Sequence, residues 1–175
     1  MSLLLRRWLP ISLTLLSAAL FCLPVLAESE AEANDPRPIR LQAPHALGAR
    51  LGFPDLVALQ YRYQIDEHWA AGGMLSPIGG EAGFWSPAQI GLTGRYYFSP
   101  DSFSSYVEVN PTYHGGSFII YQPAPYYAVY GRYGIEGRSK HFSAGAFAGL
   151  GLAWLARNRE LWGVLSLGAE ASWHF

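Results

Sequence analysis

Residues 161–175 have the sequence LWGVLSLGAEASWHF, and their alternation of side chains decides the fold class of the chain. Leu165 and Trp173 fall on one parity, together with other apolar or small residues, whereas Ser166 and Glu170 fall on the opposite parity. Successive side chains of a β-strand point to opposite faces of the sheet. This segment is therefore predicted to be a long strand with one apolar face and one polar face.

Seven earlier segments show the same alternation, and short turn sequences separate them. The turns carry Pro, Gly, Asp, Asn and Ser, which favour tight turns, as in residues 53–55 and 99–102. The eight predicted strands cover residues 46–53, 56–65, 68–75, 87–98, 103–113, 126–136, 141–155 and 161–175. The sequence thus predicts an all-β fold of eight antiparallel strands.

Charges and aromatic residues occupy opposite faces of these strands. The charges inside the segments all take the polar parity, and they are Arg50, Arg62, Arg95, Glu108, Arg132, Glu136 and Glu170. Aromatic residues recur at strand ends on the apolar parity, at Phe53, Trp69, Phe98, Phe103, Tyr113, Tyr127, Phe142, Trp154, Trp173 and Phe175. Aromatic residues at both edges of an apolar band are typical of strands that cross a bilayer.

The low charge content favours a barrel in lipid over a soluble barrel. Charged residues make up 14% of the chain, against about 25% in soluble domains, and Lys140, in a turn, is its single lysine. A soluble barrel or sandwich, which stays the alternative, would carry many Lys and Glu residues on its polar face. An eight-stranded transmembrane barrel instead turns its apolar face to lipid and encloses its polar face in a narrow lumen.

Residues 1–27 have the three-part pattern of a secretory signal peptide. Arg6 and Arg7 precede an apolar stretch that ends at Ala27, a small residue suited to cleavage. An uncleaved membrane anchor is the alternative, and lipidation is rejected because Phe21, not a small residue, precedes Cys22. Residues 28–44, ESEAEANDPRPIRLQAP, are acidic and lack periodicity, so they are predicted to form a flexible N-terminal tail.

Composition argues against nucleic-acid binding and against disulfides or metal sites built from cysteines. The formal net charge is -1 and the chain has no cluster of basic residues beyond the N-terminal arginine pair, which argues against nucleic-acid binding. With a single cysteine, the chain cannot form an internal disulfide or a multi-cysteine metal site. We expect no cofactor.

With this N-terminal segment, eight alternating strands, and Trp173 and Phe175 at the end of the last strand, the chain resembles small bacterial outer-membrane barrels of the OmpA/OmpX kind. The resemblance implies an eight-stranded up-and-down transmembrane β-barrel over residues 45–175 that is exported to the cell outer membrane. It also implies a monomer surrounded by outer-membrane lipid. Trp173 and Phe175 match the C-terminal signal that the outer-membrane barrel assembly machinery recognises in this family.

The resemblance also implies an orientation, with both termini in the periplasm and the longer loops outside. The implied outward loops are residues 53–55, 76–86, 114–125 and 156–160, and the inward turns are residues 65–67, 99–102 and 137–140. Pro111 departs from the pattern, because a closed sheet has no free edge for a residue that lacks an N–H. It is expected near the outer rim or at a bulge.

The polar parity predicts a charge network in the lumen, since ions away from water must be paired. Its expected members are Arg50, Arg62, Arg95, Glu108, Arg132 and Glu170. A turn at Pro100 and Asp101 would place Arg95 opposite Tyr106 and diagonal to Glu108. Such a network would fill the barrel with side chains, and a gated pore for small solutes is the alternative.

A second cluster is predicted at the periplasmic rim. Turns at residues 157–158 and 138–139 would place His141 opposite both His174 and Glu136. Two imidazoles and a carboxylate suit a transition metal or a pH-sensitive group. The alternative is a hydrated polar rim without a ligand.

For function, the sequence favours a structural or surface-interaction role over catalysis. Loops 76–86 and 114–125 carry apolar tips suited to contacts with a partner or lipid, at Phe84, Trp85, Phe118, Ile119, Ile120 and Tyr121. A lipid A deacylase or acyltransferase, the enzymatic alternative, needs a nucleophilic serine with a histidine and an acid. Glu170, Ser172 and His174 on one strand face, or His114 with Ser117 in a loop, are the candidates.

Overall fold

The computed structural model of the protein describes residues 37–54, 56–76, 89–115, 125–155 and 160–175. The predicted signal peptide, most of the predicted tail and the centres of the longer loops lie outside the described residues. The described helix is α1 (Ile39–Gln42). The described strands are β1 (His45–Phe53), β2 (Leu56–Gln64), β3 (Trp69–Ser76), β4 (Gln89–Tyr97), β5 (Phe103–His114), β6 (Tyr126–Arg138), β7 (Phe142–Leu155) and β8 (Glu160–His174).

The eight described strands form one closed antiparallel barrel in up-and-down order. Each strand pairs with the next along the chain, and β1 closes the sheet by pairing with β8. The fold class predicted from the alternation is confirmed, and the strand bounds agree to within about two residues. None of the helical structure in the described part of the chain has the length and apolar character needed to span a bilayer.

The barrel has two ends, a terminus end and a loop end. At the terminus end, α1 lies near the first residue of β1 and the last residue of β8, and the main chains of His45 and Phe175 bond to each other in both directions. The turn between β2 and β3 lies at the same end, where the Asp66 carboxylate accepts the N–H groups of His68 and Trp69. These bonds lower the pKa of Asp66. The opposite end, which contains Phe53, Tyr113 and Trp154, is called the loop end.

Burial in this barrel is the reverse of that in a soluble protein. Leu92, Leu150 and Leu161 on the outer face are 68%, 70% and 65% exposed, whereas Arg50 and Arg95 on the inner face are nearly fully buried. The alternation of exposed and buried residues along β4 and β5 places the polar parity inside. The barrel interior is therefore polar and charged, with only small apolar clusters.

Aromatic rings inside the barrel lie directly on glycines of the neighbouring strand. Tyr106 pairs with Gly134, and Tyr130 pairs with Gly151. A Cβ added at either glycine would come within 2.4 Å of the facing ring. These glycines let the rings lie flat against the wall, which leaves the centre of the lumen to the longer charged side chains.

Pro111 lies near the loop end of β5 without a bulge. The register between β4 and β5 is the same on both sides of it, since Gly91 pairs with Thr112 and Gly94 pairs with Val109. The Asn110 amide donates to the main-chain oxygen of Leu92, at 2.5 Å. This side chain on β5 donates to β4 in place of the main-chain N–H that Pro111 lacks, so the sheet accommodates the proline without inserting a residue.

Candidate functional site

Strand pairing brings the charges of the lumen together. Arg50 lies opposite Glu170 on the neighbouring strand, and Glu108 lies between Arg95 and Arg132, its partners on the two strands that flank it. Directly opposite residues on one face are close enough for their side chains to interact. Six residues were predicted to form a lumen network, and the structure places all six side chains inside the barrel. They are Arg50, Arg62, Arg95, Glu108, Arg132 and Glu170.

One predicted register is wrong. Arg95 lies opposite Glu108 rather than Tyr106, which pairs with Tyr97. The connection between β4 and β5 is longer than the assumed two-residue turn. Within it, the Ser99 hydroxyl donates to the Asp101 carboxylate and the Ser99 N–H donates to the Ser104 hydroxyl, which stabilises the longer connection. The correction shifts the register by two residues, so the same faces remain inside.

Glu108 is held by three arginines. Both nitrogens of the Arg50 fork donate to its two oxygens, at 3.0 and 2.9 Å. Arg95 donates to the same carboxylate at 2.6 Å, and Arg132 donates at 3.1 Å. Bidentate arginine–carboxylate pairing of this kind fixes geometry as well as charge.

Glu170 and Glu136 each bind a further set of three arginines. Glu170 accepts from Arg50, Arg62 and Arg95, at 2.9, 3.0 and 2.5 Å. Glu136 lies within 2.8 Å of Arg40 and 3.0 Å of both Arg62 and Arg95. Arg95 therefore contacts every glutamate of the network, and it lies at the centre of it.

Aromatic rings complete the packing around these cations. The Arg40 guanidinium carbon lies 3.6 Å from the centre of the Tyr97 ring, and that of Arg95 lies 3.8 Å from the centre of the Tyr106 ring. A cation over an aromatic face gains stabilisation that increases when water is excluded. The Tyr97 hydroxyl also donates to Glu136 at 3.1 Å. The rings thus support the charges from the wall of the barrel.

Residues 37–44, predicted as the last part of a flexible tail, lie against the terminus end. Arg40 reaches inside to Glu136, while Arg138 donates to the main-chain oxygens of Arg40 and Ala43 at 3.3 and 2.6 Å. Pro44 accepts the main-chain N–H of Gln64. We call residues 37–44 the plug segment, because they cover this end of the lumen.

Sequence reasoning missed Arg40 and Arg138. Arg138 has the same parity as Arg132 and Glu136, so the alternation of β6 indicates its inward position, but the predicted turn at residues 137–140 includes it. Arg40 lies in a four-residue helix without periodicity. No pattern in the sequence marks its side chain as buried.

The histidines at the terminus end do not assemble as one cluster with Glu136. His141 Nδ1 lies 3.3 Å from the main-chain oxygen of His174, which agrees with the predicted pairing of β7 and β8. Glu136, however, pairs with Gly145, and the prediction that it faces His141 is wrong because β6 continues to Arg138 before turning. Among the described residues, no three His, Cys, Asp or Glu side chains are grouped closely enough to hold a metal ion.

The candidate catalytic residues have other partners. The Gln60 amide donates to Ser172 at 3.2 Å, and three arginines occupy Glu170. His174 Nε2 instead lies 2.8 Å from Ser143 Oγ. The structure therefore does not bring Glu170, Ser172 and His174 into one hydrogen-bonded line.

Of the second catalytic candidate, His114 with Ser117, the structure describes only His114. His114 stacks on Tyr126, with ring centres 4.3 Å apart, and its Nε2 lies 3.1 Å from the Tyr130 hydroxyl. Ser117 and the apolar loop tips lie outside the described residues. His114 is thus a buried part of an aromatic cluster at the loop end.

Comparison of the chain with protein-family models, with curated proteins and with solved structures gives no match. The barrel has a lumen filled by paired ions, a covered terminus end and an apolar outer face.

Proposed function

We propose that this chain is an outer-membrane β-barrel protein with a structural or surface-interaction role, exported by a signal peptide at residues 1–27. The reversed burial carries the proposal. Large aliphatic side chains such as Leu92 and Leu150 are more than two-thirds exposed, while Arg95 and Glu108 are buried. Apolar surface costs about 25 cal/mol per Å² in water, so a continuous apolar exterior favours hydrocarbon surroundings.

The distribution of exposed aromatics supports the same placement. At the terminus end Trp69, Phe98, Phe103, Trp173 and Phe175 are each more than half exposed. A second set of exposed aromatics lies at the loop end, comprising Tyr113, Tyr127, Trp154 and Trp162. Two aromatic belts separated by an aliphatic band match the two interfaces of a bilayer.

Closure of the sheet removes the remaining obstacle to membrane insertion. Main-chain groups in hydrocarbon have no water to bond, and a closed barrel pairs them between strands. The pairing of β1 with β8 leaves no free edge in the described sheet. The exposed Trp173 and Phe175 are available to the outer-membrane barrel assembly machinery, and lipid is the principal partner of the folded monomer.

We propose no catalytic role. Acyl transfer by a serine needs a histidine and a carboxylate aligned with it, and the Ser143–His174 pair has no carboxylate partner at His174 Nδ1 within the described residues. Interaction with partners or lipid is assigned to the loops, since a rigid scaffold commonly carries its function there.

A single substitution on the outer face tests whether lipid surrounds the barrel. Leu150 lies near the middle of β7 and is 70% exposed. In a bilayer, Leu150→Arg should lower the free energy of unfolding by about 2–4 kcal/mol, measured by denaturant titration of the barrel refolded into vesicles. The matched Leu150→Ala variant should lose much less, because it places no charge in hydrocarbon.

A soluble barrel would give the opposite outcome for Leu150→Arg. In a soluble barrel an arginine at an exposed position is nearly neutral. Recovery of the protein from the soluble fraction of cells, with unfolding of Leu150→Arg unchanged, would refute the membrane proposal. Unheated wild-type protein that runs at a different position from heated protein on a detergent gel would support it.

A further inference from the structure

The buried charges in the described part of the lumen do not balance. Within the described residues, the buried charged side chains are six arginines and three glutamates, namely Arg40, Arg50, Arg62, Arg95, Arg132 and Arg138 with Glu108, Glu136 and Glu170. A cation held away from water without a counter-charge is costly. The described residues of the interior therefore leave room in the charge balance for an additional negative group.

The surplus of positive charge lies at the terminus end. Arg138 donates to two main-chain oxygens of the plug segment and has no carboxylate partner among the described residues. Arg40 pairs with Glu136, which also binds Arg62 and Arg95. Arg62 and Arg95 also pair with Glu170. Arg40 thus has only a shared carboxylate, and Arg138 has none among the described residues.

Unpartnered nitrogen atoms occur at the same place. Arg40 Nε, Arg138 Nε and His174 Nδ1 are buried and have no hydrogen-bond partner in the described part of the protein. When the Ser143 hydroxyl donates to His174 Nε2, 2.8 Å away, the imidazole proton lies on Nδ1 and makes it a donor. Buried donors without partners are rare, because each costs its lost hydration.

Contacts link these three groups into one neighbourhood. Arg138 touches the main chain of Arg40, at 3.3 Å between its terminal nitrogen and the carbonyl oxygen. Arg138 also lies opposite Ser143 across β6 and β7, and Ser143 bonds to His174. The positive surplus and the unpartnered donors therefore coincide at the terminus end, where the plug segment meets the barrel.

We propose that the terminus end of the lumen binds a phosphate group among Arg138, Arg40 and His174. A phosphate supplies the missing negative charge and several acceptor oxygens, and the planar fork of arginine suits it. Free inorganic phosphate and the phosphate ester of a lipid share this chemistry. The site does not depend on the loops or on the surface role proposed above.

Calorimetric titration of the full-length protein in a neutral detergent tests the site. Inorganic phosphate is added at constant ionic strength, with chloride as the replaced anion. Wild-type protein should bind with saturation, and Arg138→Gln should weaken binding by about tenfold or more, the effect of losing a hydrogen-bonded charge. Lys140→Gln is the matched control, since it removes a positive charge in the adjacent turn and should leave affinity within about twofold.

A second arm separates the two sources of phosphate. Short-chain phosphatidate is titrated into the same detergent solution, against phosphatidylcholine of equal chain length. Binding of phosphatidate but not of inorganic phosphate, lost in Arg138→Gln, would support the site with a lipid as its source. Arg138→Lys keeps the positive charge but lacks the planar fork of arginine, so it should also bind phosphate more weakly than wild type. It replaces Arg138→Gln in the titration if the glutamine variant fails to fold.

Two results would overturn the proposal. One is the absence of saturable binding of both phosphate and phosphatidate to the wild-type protein. The other is binding that Lys140→Gln weakens as much as Arg138→Gln does, because this would show a general response to net charge rather than a built site.

Discussion

Pro111 removes a main-chain donor from the closed sheet, and the neighbouring residue compensates for it. The Asn110 amide donates to Leu92 O at 2.5 Å, while its side-chain oxygen accepts from Thr112 and Arg132 at 2.9 and 3.1 Å. Asn110 thus links the wall of the barrel to the charge network. Its role depends on the proline beside it, which makes the pair testable by a double-mutant cycle.

Asn110→Ala should lower the free energy of unfolding by about 1–3 kcal/mol, because the Leu92 carbonyl loses its donor. The double variant with Pro111→Ala should recover part of this loss, since alanine restores a main-chain N–H toward β4. Denaturant unfolding followed by tryptophan fluorescence measures both. A double variant no more stable than Asn110→Ala alone would show that the amide does not replace the missing donor.

The contacts that hold the plug segment can be removed without leaving a buried carboxylate unpaired. Without Arg40, Glu136 keeps Arg62 and Arg95 at 3.0 Å. Arg40→Ala should therefore release residues 37–44 locally, raising the hydrogen-exchange rate of their amides, while the free energy of unfolding of the barrel falls by about 1 kcal/mol or less.

Glu108→Gln provides the contrast within the same network. It leaves three arginines without the carboxylate they share, so it should cost about 3–5 kcal/mol of global stability, as breaking a buried ion pair does. Equal global losses for Arg40→Ala and Glu108→Gln would mean that the plug segment is an integral part of the barrel. Exchange rates at residues 37–44 that do not change in Arg40→Ala would show that Arg40 does not hold the plug segment in place.

Strands and faces could be predicted from the sequence, but the turns and the plug segment could not. Period-two alternation determines that Arg95 and Glu108 share the face opposite the leucines. The low charge content of the chain, and not the alternation itself, indicates that this face is the inner one. Alternation does not determine turn length, so the partners of Arg95 and Glu136 were shifted along the neighbouring strand. Arg40 enters the lumen as a single side chain, and a single residue has no period to detect.

At the scale of the whole molecule, the packing of the lumen opposes conduction. Arg95 bridges Glu108, Glu136 and Glu170 across the interior, and its side chain is fully buried. An ion that crosses would have to separate these pairs at a cost of several kcal/mol per ion. The wild-type barrel should therefore stay silent in planar-bilayer recordings over a range of voltages.

Arg95→Ala should produce discrete conductance steps, because it removes the side chain that links all three glutamates. Each glutamate keeps at least one other arginine, so the barrel should still assemble. Thr93→Ala, a truncation at the next inward position of β4, should remain silent. Steady conductance through wild-type protein would favour the alternative of a narrow solute pore, whereas silence of a folded Arg95→Ala barrel would show that closure depends on more than this central cation.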